Sequence, residues 1–252
     1  MDALIGYTGF VGSNLKLQRE FDAFYNSKNY IDMANQQFDM IICAGVSAVK
    51  WKANKEPDLD LDRIQKLAAI LSTVSVEKFI VISTIDVYPD PQCGADESLD
   101  VHGLGNHAYG KNRLWFEDFC KDRFSECYTI RLPGLFGPGI KKNVIYDLLN
   151  DHCLDMINPV SSYQYYYLKN LWKDIQIVLQ ENLQTVNLFT EPLPTHEIID
   201  QFFSDKTTGG NANPEGHYDL HTIYADHWGK NGDYIYTKQE ILTQLSEFID
   251  AY

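Results

Sequence analysis

The sequence predicts an α/β fold, a parallel sheet wound with helices on both faces. Three observations carry this expectation. Two long apolar runs, FDMIICAGV (38–46) and KFIVISTIDVY (78–88), read as strands covered on both sides rather than as the alternating pattern of a half-solvated sheet. Segments with helical spacing of apolar residues fall between them. A short apolar run at residues 2–5 leads directly into a ladder of glycines.

Each element follows in order. After the glycines, residues 10–19 are expected to be helical, and FDAFY (21–25) a strand. From Pro57, the residues Leu61, Ile64, Ala68, Leu71 and Val74 recur at helical spacing. Pro57 suits the first turn, and Asp58, Asp60 and Asp62 favour the positive end of that helix. Residues 108–122 form the next helix, and CYTIRLPGLFG (127–137) a strand ending near Gly-Pro-Gly. The order implies a doubly wound parallel sheet. Beyond residue 140 the pattern changes to short strands (163–167, 185–189) and helices (169–181, 195–203). Thr237 and Glu240 match a capping box ahead of Ile241, Leu242, Leu245, Phe248 and Ile249, so a closing helix is expected. The reading divides the chain into a dinucleotide-binding domain over 1–140 and a smaller, interleaved α+β substrate-binding region over 141–252.

Composition narrows the function classes. The 252 residues carry a formal net charge of −14, with no basic stripe to neutralise phosphates, which argues against nucleic acid. No apolar run approaches the ~18 residues of a membrane span, and no secretory signal is visible at the N-terminus. Five cysteines, without a CxxC pair, read as reduced thiols of a cytoplasmic protein. His217, His221 and His227 lack a completing cysteine or acidic motif, so no metal site is expected.

The glycines Gly6, Gly9 and Gly12 lie in IGYTGFVGSNL (5–15), where a strand turns into a helix. Gly6 would allow the tight turn, Gly9 the close approach of a pyrophosphate, and Gly12 the packing of helix on sheet. This points to a Rossmann-like dinucleotide site, and two further motifs strengthen it. STIDVY (83–88) ends a buried strand, and HAYGKNRLWFE (107–117) opens a helix with Tyr109; RLPGLFGPG (131–139) follows. In this combination and order, residues 2 to about 203 resemble the extended short-chain dehydrogenase/reductases, the NAD(P)-dependent epimerases and dehydratases of nucleotide sugars.

The resemblance implies an NAD(P)-dependent oxidoreductase or epimerase acting on a hydroxyl or keto group of a nucleotide sugar or related metabolite. Thr84 occupies the position of the family's catalytic Ser/Thr, and Tyr109 that of its catalytic tyrosine. A tyrosinate accepts the hydroxyl proton during hydride transfer if its pKa falls from ~10. The family's lysine four residues after the tyrosine is replaced by Arg113, which keeps the charge but not the shape or hydration. Lys111 points elsewhere. Two readings therefore stand: an enzyme with altered chemistry, or a non-catalytic NAD(P)-binding sensor or assembly protein.

By the same resemblance, the cofactor is held by Gly6, Thr8, Gly9, Phe10, Val11 and Gly12, by Ala44 and Gly45 after the 38–46 strand, and by Tyr109, Arg113 and Pro133. At the end of the second strand stand Asn26, Ser27 and Lys28, with no acid to repel a 2′-phosphate, so NADP is preferred over NAD; Asp32 is placed by the adenine. Substrate contacts are assigned to Asp86, Gly134, Lys142, Asn143 and Tyr165. The family's dehydratases pair an aspartate and a glutamate after the threonine; Ile85 and Asp86 stand here, which disfavours dehydration. Gly134 replaces a substrate-holding asparagine. Lys50, Trp51 and Lys52 either meet a phosphate or sugar or form a solvated loop. A homodimer is expected through helices 57–75 and 108–122, with Leu59, Leu67, Trp115 and Phe119 as its apolar positions.

Overall fold

A computed structural model describes residues 1–210 and 213–252. The chain forms two compact units. The first comprises residues 1–89, 100–131 and 169–186, and the second residues 90–99, 132–168 and 187–252. The chain thus passes repeatedly between the two units.

The first unit is built on β1 (Asp2–Ile5), α1 (Phe10–Lys16), β2 (Ala23–Tyr25), β3 (Gln37–Cys43), α2 (Lys50–Lys55), α3 (Pro57–Leu71), β4 (Ser75–Thr84), α4 (Ala108–Arg123) and β5 (Cys127–Leu132). Its parallel sheet runs β2-β1-β3-β4-β5, extended by a sixth strand, β9, introduced below. β1 lies between β2 and β3, pairing Ile5 with Tyr25 on one side and with Cys43 on the other. The chain winds outward to β2, then crosses back over β1. That reversal leaves a crevice at the carboxyl ends of β1 and β3, the usual ligand position in such sheets.

The core follows the apolar runs. Ile41, Ile42, Phe79, Ile80 and Val81 are buried in the strands, and Ile64, Leu67, Ala68 and Leu71 form the inward stripe of α3. Each large aliphatic side chain so buried contributes roughly 1.5–3 kcal/mol. Leu67 is therefore a core residue, not the exposed apolar position expected for a dimer face. Phe119 is partly buried and stacks on Trp115. The buried middle of α4 is tied down by charge: Arg131 on β5 reaches Glu117 through Nε and Nη2, at 3.2 and 2.8 Å, and the Tyr88 hydroxyl through Nη1 at 2.9 Å.

Several boundaries differ from the sequence pattern. The 78–88 run is β4 up to Thr84, then a 3₁₀ turn at Ile85–Val87. The 127–137 run breaks at Pro133, which has no N–H for a ladder; β5 ends at Leu132 and β6 (Gly134–Phe136) belongs to the second unit. Residues 50–52 open α2 rather than a loop.

The second unit continues with α5 (Val144–Asn150), β7 (Ser162–Tyr163) and β8 (Tyr165–Tyr167). α6 (Leu171–Gln180) and β9 (Thr185–Asn187) return the chain to the first sheet, before β10 (Leu193–Pro194), α7 (Thr195–Phe202) and α8 (Lys238–Asp250). β6 pairs with β8 in parallel, and β10 with β7 antiparallel. Tyr165, Tyr166 and Tyr167 are all buried, so β8 does not alternate. α8 begins with the expected capping box of Thr237 and Glu240. Among the described residues no helix is long and apolar enough to cross a membrane.

Candidate active site

The glycine loop follows β1. Gly6 has φ +85°, a left-handed conformation that L side chains avoid, and a Cβ there would lie 2.4 Å from the Ala44 carbonyl oxygen. A Cβ at Gly12 would lie 2.2 Å from the Gly6 carbonyl oxygen, so the third glycine seats α1 on the loop. Gly9 differs. A Cβ there would touch only the Gly6 carbonyl oxygen, at 3.2 Å, and otherwise meets open space. Internal packing demands glycine at 6 and 12 but not at 9. The exposed edge at Thr8 and Gly9, beside the first-turn amides of Phe10 and Val11 that have no intrahelical acceptor, is a cradle that a side chain would fill. These residues fit a dinucleotide pyrophosphate.

Ala44 and Gly45 complete the crevice, Ala44 donating its N–H to the Ile5 carbonyl at 2.9 Å. At the end of β2, Asn26 is committed locally: its Nδ2 donates to the Tyr7 hydroxyl at 3.2 Å, and its Oδ1 accepts the Lys28 N–H at 2.8 Å. Its assigned role becomes shaping the turn. Ser27, Lys28 and Asp32 are exposed beyond it.

The reactive side chains gather at the same end of the sheet. Thr84 closes β4, and its side chain is among the groups that favour the charged form of the Tyr109 phenol. Tyr109 is buried at the start of α4 because that helix end packs closely: a Cβ on Gly110 would lie 2.2 Å from the Asp86 carbonyl oxygen. Two caps hold the helix there. His107 Nδ1 accepts the Gly110 N–H at 3.0 Å, and Asn54 Oδ1 accepts the Tyr109 N–H at 2.9 Å. The other ring nitrogen of His107, Nε2, lies 3.7 Å from Asp86 Oδ1. Asp86 also takes a 2.5 Å contact from Lys50 Nζ. His107 escaped sequence reasoning; its position three residues before Gly110, at a helix start, was the available signal.

Arg113 is placed otherwise than expected. Its Nη1 and Nη2 embrace the Asp60 carboxylate, and Nη2 also donates to the Ser47 carbonyl. Asn112 Nδ2 adds a 2.9 Å bond to the same carboxylate. The guanidinium lies 4.1 Å from the Tyr109 ring centroid, over the face of the ring. Both charges are buried, with side-chain exposures of 5% for Arg113 and 11% for Asp60. The fork is spent on a carboxylate from α3 instead of being offered to a ribose or to the phenolic oxygen, and its counter-charge blunts its pull on the tyrosine. Burial accordingly dominates and pushes the Tyr109 phenol above its ordinary pKa, against the lowering effect of Arg113.

The remaining assigned residues lie in the second unit with roles of their own. Gly134 is required by crowding: a Cβ would lie 2.8 Å from the Gln164 carbonyl oxygen. Asn143 caps α5, its Oδ1 accepting from Tyr146 N and its Nδ2 donating to the Leu135 carbonyl. Tyr165 is a core side chain, 2% exposed. Pro133 is buried and Lys142 exposed. His217 and His221 contact Glu215 and Asp219, and the described residues contain no group of three metal-ligating side chains. A depression of about 230 Å³ lined by Ser125, Cys127, Tyr128 and Asn182 sits at the amino ends of β5 and β9, the far end of the sheet from this chemistry.

No sequence-family model matches the chain, and no curated protein sequence matches it. Solved structures do. A UDP-N-acetylglucosamine 4-epimerase from Methanobrevibacter ruminantium M1, in complex with UDP-N-acetylmuramic acid, superposes with a TM-score of 0.76 at 16% identity, over 99% of this chain and 96% of that one. The fold is that of the nucleotide-sugar epimerases. A dTDP-4-dehydrorhamnose reductase from Clostridium acetobutylicum shares it, with a TM-score of 0.72 at 18% identity over 100% of this chain and 99% of that one. So does a UDP-glucuronic acid 4-epimerase from Bacillus cereus in complex with UDP-glucuronic acid and NAD, with a TM-score of 0.70 at 16% identity over 100% and 97%. Epimerases and a reductase thus share this epimerase fold, so the side chains above must decide the chemistry.

Proposed function

We propose that this protein is an NAD(P)-dependent oxidoreductase or epimerase acting on a hydroxyl or keto group of a nucleotide sugar. Thr84 at the end of β4 and the buried Tyr109 at the start of α4, at the same end of the sheet as the open glycine cradle, carry the reading. A bound nicotinamide dinucleotide supplies a hydride acceptor or donor. The loop at Gly6–Gly12 and the edge at Ala44 and Gly45 would hold it. Thr84 orients the substrate oxygen, and Tyr109 takes its proton on oxidation and returns it on reduction. Asp86, without a glutamate beside it, does not provide the acid pair of a dehydratase. The two 4-epimerases described above contain UDP-sugars, and the second of them NAD, which supports the substrate class and the cofactor class.

Ser27 and Lys28, exposed past β2, favour NADP. NADPH should bind more tightly than NADH, and Lys28→Ala should narrow the gap; equal affinities in the unmodified protein would remove the preference. Leu59 and Trp115, exposed on the adjoining helices α3 and α4, support a homodimer, which a monomeric mass at micromolar concentration would overturn.

The commitment of Arg113 to Asp60 favours the second reading, a dinucleotide-binding protein without turnover. One experiment separates the two. NADPH and NADH binding is titrated by fluorescence in the unmodified, Gly9→Val and Tyr109→Phe proteins, and conversion of UDP-glucose, UDP-N-acetylglucosamine and UDP-glucuronic acid is followed in each. Gly9→Val should abolish binding, and Tyr109→Phe should abolish conversion while leaving affinity nearly unchanged. Binding without conversion supports the non-catalytic reading, and undiminished binding by folded Gly9→Val removes both.

A further inference from the structure

The five cysteines differ in what surrounds them. Cys43, Cys120 and Cys127 are buried, and burial pushes their thiols up, Cys43 and Cys127 to about 12, so they stay protonated and inert. Cys93 is exposed and donates its S–H to the Asp90 carbonyl at 3.1 Å. Cys153 is exposed too, but it faces an imidazole: its Sγ lies 3.6 Å from His152 Nε2. The other ring nitrogen, Nδ1, lies 2.7 Å from Asp147 Oδ1. A carboxylate only accepts, so Nδ1 is the donor of that bond and Nε2 is left to take a proton from the thiol. Thiol, imidazole and carboxylate thus stand in the order of nucleophile, base and orienting acid.

The local fold holds this line. Asp147 is on α5, and where that helix ends the His152 N–H bonds back to the Asp147 carbonyl at 3.0 Å. Asp151 and Cys153, on either side of His152, have φ of +51° and +48°, a conformation that L side chains seldom adopt. Lys206 Nζ anchors Asp151 at 2.6 Å. The Tyr146 ring meets the His152 ring in a T-shaped contact, with centroids 5.8 Å apart, so the imidazole is held by a ring as well as by a carboxylate. All these residues belong to the second unit, and the proposed reaction uses none of them.

We propose that Cys153 is a thiol-exchange site, with His152 as its base, that takes a small-molecule disulfide and becomes S-thiolated. His152 takes the thiol proton, and the Cys153 thiolate attacks one sulfur of the disulfide. A new S–S bond forms as the old one breaks, and the displaced thiolate leaves with the proton from His152. Cys153 is oxidised and one sulfur of the disulfide is reduced, so no other reagent is consumed. The site is independent of the reading of Tyr109.

The test treats the folded protein with oxidised glutathione at neutral pH and follows each cysteine by peptide mass spectrometry. Cys153 should gain the glutathionyl group ahead of Cys93, with the three buried thiols unmodified. His152→Phe should slow Cys153 by about threefold or more, the net of less thiolate against a stronger nucleophile, and leave Cys93 as it was. An unmoved Cys153 rate in folded His152→Phe overturns the proposal, as does a Cys93 that outpaces Cys153 in the unmodified protein. If His152→Phe does not fold, His152→Gln takes its place under the same criterion.

Discussion

Replacing Asp60 by asparagine should destabilise this protein severely, because it strips the counter-charge from a guanidinium that has nowhere else to turn. Arg113 has 5% of its side chain exposed and donates to both Asp60 oxygens and to the Ser47 carbonyl. Its Nε is already buried without an acceptor among the described residues. Asparagine keeps one acceptor but no charge, and it loses the geometry that also receives Asn112 Nδ2 at 2.9 Å. Breaking a buried pair by neutralising one partner costs about 3–5 kcal/mol. For a chain of this size that corresponds to a fall in Tm of about 6–20 °C. The assay is equilibrium urea denaturation of Asp60→Asn, Arg113→Met and the double variant, checked for a common m-value. The double variant should be more stable than the two single losses sum to, by about 2–3 kcal/mol, since it leaves no orphan charge. Arg113→Lys should also be destabilised, because a point-like ammonium cannot fork to a carboxylate and a carbonyl together. A loss under about 1 kcal/mol in Asp60→Asn, with additive single effects, would refute this account and return Arg113 to the cofactor.

Other expectations are checked more simply. Gly12→Ala should lower stability by driving a methyl into the Gly6 carbonyl, whereas Gly9→Ala should leave Tm nearly unchanged and weaken NADPH binding; equal Tm losses would contradict the division of roles. Thr237→Ala should cost about 1 kcal/mol by removing the N-cap of α8, read by thermal unfolding. Because burial raises the Tyr109 pKa above its ordinary value of ~10, turnover that needs tyrosinate should climb steadily with pH through 8–10; a plateau near neutrality would contradict that direction. The pKa of His102 is raised by the hydrogen bonds it donates to Asp100 and Asp118, so its contribution to stability is fully present below its unfolded pKa of ~6.5 and is lost as pH rises through the folded value. His102→Gln should therefore lose stability at pH 5.5 and lose nothing at pH 9, with high salt erasing the difference.

Much of this protein was legible in its sequence because the relevant forces are local. The apolar runs at 38–46 and 78–88 became β3 and β4, and Pro57 opened α3 as its fixed φ predicts. The capping box at Thr237 formed, and the glycine ladder marked the strand-to-helix turn, because a left-handed Gly6 and a close-packed Gly12 are backbone requirements that only glycine meets. What tertiary structure alone decided concerns partners distant in sequence. Spacing put Arg113 one turn from Tyr109, but only the packing of α3 against α4 brought Asp60 within reach of its fork. A buried charge takes the nearest opposite charge that can be desolvated with it, and that choice is invisible along the chain. The same holds for Lys50, expected either to meet a phosphate or sugar or to lie in a solvated loop, which the turn after β3 delivers to Asp86, and for Leu67, which the helix face turns inward. Local propensity names the elements; the low dielectric between them selects which charges meet.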